Sequence, residues 1–142
     1  MKILLLTLLL LLLPVPVVAQ STILIDADSA LGFAPSPDHS TTFGTPAVPV
    51  LTSYRAEFFL RSQVSGGVPT GTPTITVDLG KPTPVSGTIT SAPLRPMVQP
   101  NLEYIGFVLA VGPGGVSGRS NATDPFGYAA APRGVTGAVV VP

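Results

Sequence analysis

Hydrophobic positions along this chain fall into short runs separated by clusters of Gly, Pro, Ser and Thr. The clearest run covers residues 74–79, where Ile75, Val77 and Leu79 alternate with Thr74, Thr76 and Asp78. A period of two marks a strand with one buried face. The other runs are rich in β-branched and aromatic residues and are bounded by turn residues, which also reads as strand. The pattern predicts strands at residues 22–26, 29–34, 51–61, 74–79, 88–92, 102–111 and, weakly, 118–123; the third carries Tyr54, Phe58 and Phe59. No stretch combines helical periodicity with caps, and 17 prolines and 15 glycines would interrupt one. Seven short strands with regular turn signals point to an all-β sandwich. Two long connections, residues 35–49 and 62–73, divide the strands, and residues 126–142 lack an evident strand partner.

The first nineteen residues obey a different rule. Lys2 precedes a nearly unbroken apolar run over residues 3–13, followed by Pro14, Pro16 and the small Ala19. That is the layout of a secretory signal peptide cut after Ala19. A membrane anchor is the competing reading, but the run is shorter than the ~20 residues that span a bilayer, and Pro14 interrupts it. The expected organisation is therefore a signal peptide over 1–19, one domain over 20–126 and a flexible tail over 127–142. The protein would be secreted, extracellular or periplasmic, with no membrane span after cleavage. The tail's last apolar run, residues 138–141, is too short for a lipid-anchor signal, which needs ~10 to 20 hydrophobic residues.

Composition narrows the chemistry. With Lys2 removed, Arg55, Arg61, Lys81, Arg95, Arg119 and Arg133 face Asp26, Asp28, Asp38, Glu57, Asp78, Glu103 and Asp124, a formal charge of −1. No basic surface is available for a run of phosphates, so nucleic acid is excluded as an expected partner. The chain has no cysteine. For a secreted protein this removes disulfides, thiolate metal sites, thiol catalysis and a lipid-modified cysteine, leaving packing alone to hold the fold.

Candidate sites fail one after another. His39 is the only histidine and stands between Asp38 and Ser40. Neighbours in an extended loop point in alternating directions and cannot form a nucleophile–base–orienter chain, so a polar turn is expected there. With one His and no Cys, zinc's usual nitrogen and sulfur ligands cannot be assembled. Asp26 and Asp28 could offer two oxygens to calcium, which takes six to eight, and no glycine-punctuated acidic loop follows them. The run Gly112, Pro113, Gly114, Gly115 lacks the Lys and Ser/Thr of a phosphate loop and fits a hairpin turn. Asn121, Ala122 and Thr123 form an N-glycosylation triplet. Arg119, with Arg55 and Arg61, is a candidate for a small ligand-facing patch, against the simpler expectation of solvated residues on a sheet face. No catalytic, metal or cofactor site is expected.

One resemblance adds to this. The order Leu31, Gly32, Phe33, Ala34, Pro35, Ser36, Pro37, Asp38, then Tyr54 in the third strand, then residues 100–104 leading into residues 108–120, resembles a fibronectin type III domain. The likeness spans about residues 21–126 and is most specific in its second half. It implies a seven-stranded antiparallel immunoglobulin-like β-sandwich. In that family a tyrosine preceded by an apolar residue and a proline forms a corner before the sixth strand, its hydroxyl bonded back to the upstream backbone. Val98, Pro100, Leu102 and Tyr104 stand at those places. Val98 and Leu102 replace the usual Leu and Thr, and Phe33 stands where the family carries a core tryptophan, keeping a large ring but losing the indole donor. Phe33, Tyr54, Pro100 and Tyr104 are thus the expected structural anchors.

The resemblance also implies that recognition falls to loops clustered at one end, residues 36–50 and 112–118 here. The candidate binding residues are His39, Phe43, Pro113, Gly114, Gly115 and Arg119. Phe43 either stands exposed at a loop tip as a contact or folds back beneath its own loop. The Arg-Gly-Asp adhesion triplet of some family members is absent. The expected function is a non-catalytic binding module or spacer whose partner is a protein or a polysaccharide. The alternative is a structural subunit whose apolar run 137–141 adds as a strand to a neighbour's sheet edge. A carbohydrate module ranks last, because the chain has no Trp and only three Tyr to make an aromatic platform.

Overall fold

The computed structural model describes residues 20–132. The signal peptide expected over 1–19 and the apolar run 137–141 lie outside the described residues. Within them the protein is all-β, as its patterning predicts. Twelve strands run in chain order: β1 Ile23–Leu24, β2 Ala30–Phe33, β3 Thr42–Phe43, β4 Val48–Pro49, β5 Ser53–Leu60, β6 Val64–Ser65, β7 Val68–Pro69, β8 Ile75–Gly80, β9 Ile89–Pro93, β10 Glu103–Gly112, β11 Gly115–Val116 and β12 Phe126–Gly127.

The large sheet has the order β1-β12-β10-β5-β8, with β11 folded back on β10. Its centre is the antiparallel pair of β5 and β10, in register from Tyr104 opposite Leu60 to Val111 opposite Ser53. A second, two-stranded sheet pairs β2 with β9. Leu31 and Ile89 from this small sheet, with Leu94 and Val98 that follow it, pack against Tyr54, Ala56, Phe58, Tyr104, Val108 and Phe126 of the large one. Two layers around one core are consistent with a β-sandwich.

The outer face of the large sheet is covered as well. Phe59, Ile105 and Phe107 form a second buried cluster beneath Val64 and Ala122. With both faces covered, β10 reads as a continuous apolar run from Tyr104 to Leu109, whereas β8 at the edge keeps its alternation.

Four sequence expectations are corrected. First, residues 35–49 and 62–73 are not plain connections but carry the hairpins β3–β4 and β6–β7. Gly66 and Gly67 occupy the two turn positions of the second with φ of 57° and 78°, the left-handed region that such a turn demands. Second, residues 118–123 form no ladder strand. Ser117, Ser120 and Thr123 each donate a backbone N–H to β10, at Ala110, Val108 and Gly106, while their hydroxyls accept the N–H of those same three residues at 2.9–3.0 Å. Hydroxyls at every third position thus stand in for carbonyls along this edge.

Third, Phe126 and Gly127 do not begin a partnerless tail. They pair with Tyr104 and Glu103, and Tyr128 donates its hydroxyl proton to the Val98 carbonyl at 3.3 Å. Gly127 is required here because a Cβ would run into the Leu102 carbonyl. Fourth, the sheet is not purely antiparallel, because β1 runs parallel to β12. The chain then crosses from the large sheet to the small one through a turn in which Asp26 Oδ1 accepts from the Asp28 and Ser29 amides and the Ser29 hydroxyl. The Ser29 hydroxyl, then those amides, hold the Asp26 carboxyl below its ordinary value of 3.8. Oδ1 of Asp26 thus closes the turn between the two sheets.

Candidate functional site

Two loops meet at the end of the sandwich where β10 turns into β11. One is the long connection after β2, which holds β3 and β4; the other is the turn at Pro113 and Gly114. Between them lies a groove of about 550 Å³. Its walls are apolar: Phe43, Val48 and Pro49 on one side, Pro113 and Val116 on the other, with Leu51 below. Asp38 is the only charged residue among those that line it.

The long loop is fixed at its root. Tyr54 is fully buried, with Phe33 packed edge-on at 5.0 Å. Its hydroxyl accepts the Ser36 N–H at 2.9 Å and lies within hydrogen-bond reach of His39 Nδ1, also at 2.9 Å. His39 also stacks on Tyr54, centroids 5.8 Å apart. Further out, Val50 N–H bonds to the Thr41 carbonyl and closes the loop on itself. On the other strand Gly112 passes so close to the Val50 carbonyl that a Cβ there would collide with it. Rooted this way, the loop presents Phe43 to solvent: the ring is 80% exposed, and Val48 and Val116 are about half exposed at 49% and 46%. Side chains of this type gain from removal from water, at ~25 cal/mol per Å² of apolar area.

The structure therefore brings together Phe43, Pro113, Gly114 and Gly115, four of the six candidate binding residues. It separates the other two. His39 is half-buried against Tyr54 and serves as a strut for the loop, so its pairing with Asp38 and Ser40 in sequence carries no hydrolytic geometry. Arg119 lies on the outer face of the large sheet, its guanidinium 5.2 Å from the centre of Phe59, and donates to Glu57 Oε2 at 2.8 Å. Arg55 takes the other Glu57 oxygen at 3.1 Å. The buried carboxylate of Glu57 is thus held between two arginines, and neither faces the groove. Arg61 belongs to a third place, where it donates to the Glu103 carboxylate and the Thr22 hydroxyl at 2.9 Å and to the Gln20 carbonyl at 2.6 Å.

Of the four expected structural anchors, three are buried in or against the core and Pro100 is not. Phe33, Tyr54 and Tyr104 pack in or against the main core, and the Tyr104 hydroxyl accepts the upstream Gln99 N–H at 3.4 Å. Pro100 lies in the exposed turn before Asn101. Sequence reasoning missed Val48 and Val116 as groove residues, although both lie within or beside the loops it named. Val48 is split from Val50 and Leu51 by Pro49, and Val116 stands between Gly115 and Ser117, so neither shows a period until the fold places them on one groove.

Among the described residues no three His, Cys, Asp or Glu side chains gather as a metal set, and no helix is long and apolar enough to cross a membrane. No protein-family model matches the chain, and no curated protein matches it as a relative.

Proposed function

We propose that this is a secreted, non-catalytic module of fibronectin type III type that holds a partner in the groove between its two apical loops. Its strands β2, β5, β8, β9 and β10 would be the counterparts of the family's B, C, C′, E and F, with residues 115–123 taking the place of the last strand. What supports the reading is one observation: two loops far apart in sequence enclose a single apolar groove with Phe43 exposed at its rim. A solvent-facing aromatic held by a rooted loop is a contact residue without an evident structural task.

Of protein and polysaccharide, the lining favours an apolar segment of a protein. A sugar needs convergent hydrogen-bonding groups, and the side chains in this groove that can offer them are Ser36, Asp38 and Ser117. The test is to pan a phage-displayed library of random dodecapeptides against the chain and measure selected peptides on a Phe43→Ala variant. Apolar peptides that bind the parent and lose about tenfold or more on the variant support the reading. Selected peptides that bind both proteins equally, or binding confined to glycans on a parallel array, contradict it.

A further inference from the structure

The glycosylation triplet Asn121, Ala122 and Thr123 lies in the segment that closes the free side of β10, and the fold gives each of its residues a different direction. Residues 117–123 repeat every three. Ser117, Ser120 and Thr123 face β10, where their amides and hydroxyls bond to Ala110, Val108 and Gly106. Arg119 and Ala122 face the outer cluster: Arg119 lies over Phe59 and donates to Glu57, and Ala122 packs against the cluster of Phe59, Ile105 and Phe107. A chain with a repeat of three has one face left. Gly118 and Asn121 occupy it.

That face is open. Asn121 is exposed, and a Cβ placed on Gly118 would meet nothing within 4 Å. The backbone carbonyl of Asn121 accepts the Ser120 hydroxyl, but among the described residues its side-chain amide has no partner. The chain's other asparagine shows what a structural role requires: Asn101 holds a left-handed φ of 61°, and its side-chain oxygen accepts the Ala130 N–H at 2.9 Å. Asn121 does neither.

We propose that Asn121 carries an N-linked glycan, a role separate from the groove. An oligosaccharide passes from a polyprenyl-diphosphate donor: the side-chain nitrogen of Asn121 bonds to the anomeric carbon, the bond from that carbon to the diphosphate oxygen breaks, and the lipid diphosphate leaves. The amide gives up one proton to a base of the transferase. Thr123 supplies the hydroxyl that completes the triplet. In the finished fold this hydroxyl accepts the Gly106 N–H at 2.9 Å. Attachment therefore comes first, on the emerging chain, and the segment docks on β10 afterwards with the sugar turned to water. There the glycan stands over a sheet edge that no further strand covers, and its bulk hinders pairing with another chain.

The test secretes the chain from a eukaryotic cell line in two forms, one with its own residues 1–19 and one with the host's leader in their place. Intact mass and peptide mapping are read on whichever form reaches the medium. Sugar at Asn121, absent from Asn121→Gln, is the expected result. Peptide-N-glycosidase should release it from the native protein without denaturant, converting the attachment asparagine to aspartate, because this face is open to solvent. Asn121→Gln should melt within about 2 °C of the released form, since the amide bonds nothing in the fold. A secreted chain without sugar overturns the proposal, as does sugar that resists release until the protein is unfolded. A Tm lower by more than about 5 °C in Asn121→Gln also overturns it, by making the asparagine structural. If only the form with the host's leader is secreted and carries the sugar, the site stands and the reading of residues 1–19 falls.

Discussion

The two ends of this sandwich are built on the same device and finished in opposite ways. At each end a buried tyrosine reaches back to catch a backbone N–H: Tyr104 takes Gln99, and Tyr54 takes Ser36. At the Tyr104 end the strands beyond that anchor are tied down by packing and ion pairs, although Ile23, Leu24 and Leu102 stay exposed beside them. Phe126 packs edge-on against Phe58, 5.7 Å between ring centres, and Arg61 joins Glu103 to Thr22 and Gln20. At the Tyr54 end the anchored loop carries Phe43 and Val48 to the groove's rim, β11 brings Val116 opposite them, and all three stay in water. The contrast separates a closure made of packing and ion pairs from a rigidly held apolar surface that the fold itself does not need.

The largest predicted difference sets two phenylalanines against each other. Phe126→Ala removes a buried ring on which β12, and through it β1, depends. It should cost about 3–5 kcal/mol in a denaturant titration. A cost under about 1 kcal/mol would mean that β12 is not part of the folded unit.

The two tyrosines come next. Tyr54→Phe strands the Ser36 amide and removes the contact with His39, both at 2.9 Å, whereas Tyr104→Phe gives up one longer bond of 3.4 Å. Losses of about 1–3 kcal/mol are expected for Tyr54 and about 0.5–1.5 kcal/mol for Tyr104. The reverse order would show that the Tyr104 corner, not the loop root, is the stiffer anchor.

Acid should act on the closed end. The Thr22 hydroxyl, then the Arg61 guanidinium, hold the Glu103 carboxyl below its ordinary value of 4.5. A carboxyl lowered on folding adds stability that is fully present above its unfolded value and is lost as pH falls through the folded one. Tm measured from about pH 6 to about pH 3 should therefore fall less steeply in Glu103→Gln than in the parent. Identical slopes would remove Glu103 from the closure.

Much of this architecture is legible in the residues, and the omissions have physical causes. Strands β5, β8, β9 and β10 announce themselves because each buries at least one face, which β8 shows as an alternation and β10 as a continuous apolar run. The β6–β7 hairpin was signalled by Gly66 and Gly67 between two short β-type pairs, but strands of two residues bury too little to show a period. The edge built by Ser117, Ser120 and Thr123 escapes any search for alternation, since its repeat is three and its bonding groups are hydroxyls. β12 hides behind Pro125, which reads as a stop although it is buried in the fold. For the groove, the sequence reading names the two loops that line it, with Phe43, Pro113, Gly114 and Gly115. It cannot tell that His39 turns inward to Tyr54, or that Arg119 lies on another face with Glu57, because both facts depend on side-chain direction within the assembled sheets.

The smallest expected stability effect carries the largest functional weight. Phe43→Ala removes a ring that touches little of its own fold, so Tm should stay within about 2 °C of the parent. The most direct test of a groove made for a partner is the affinity of a library-selected peptide for Phe43→Ala beside the parent, measured by calorimetry at that matched stability. The account predicts a loss of about tenfold or more. Equal affinity for the two proteins would contradict it.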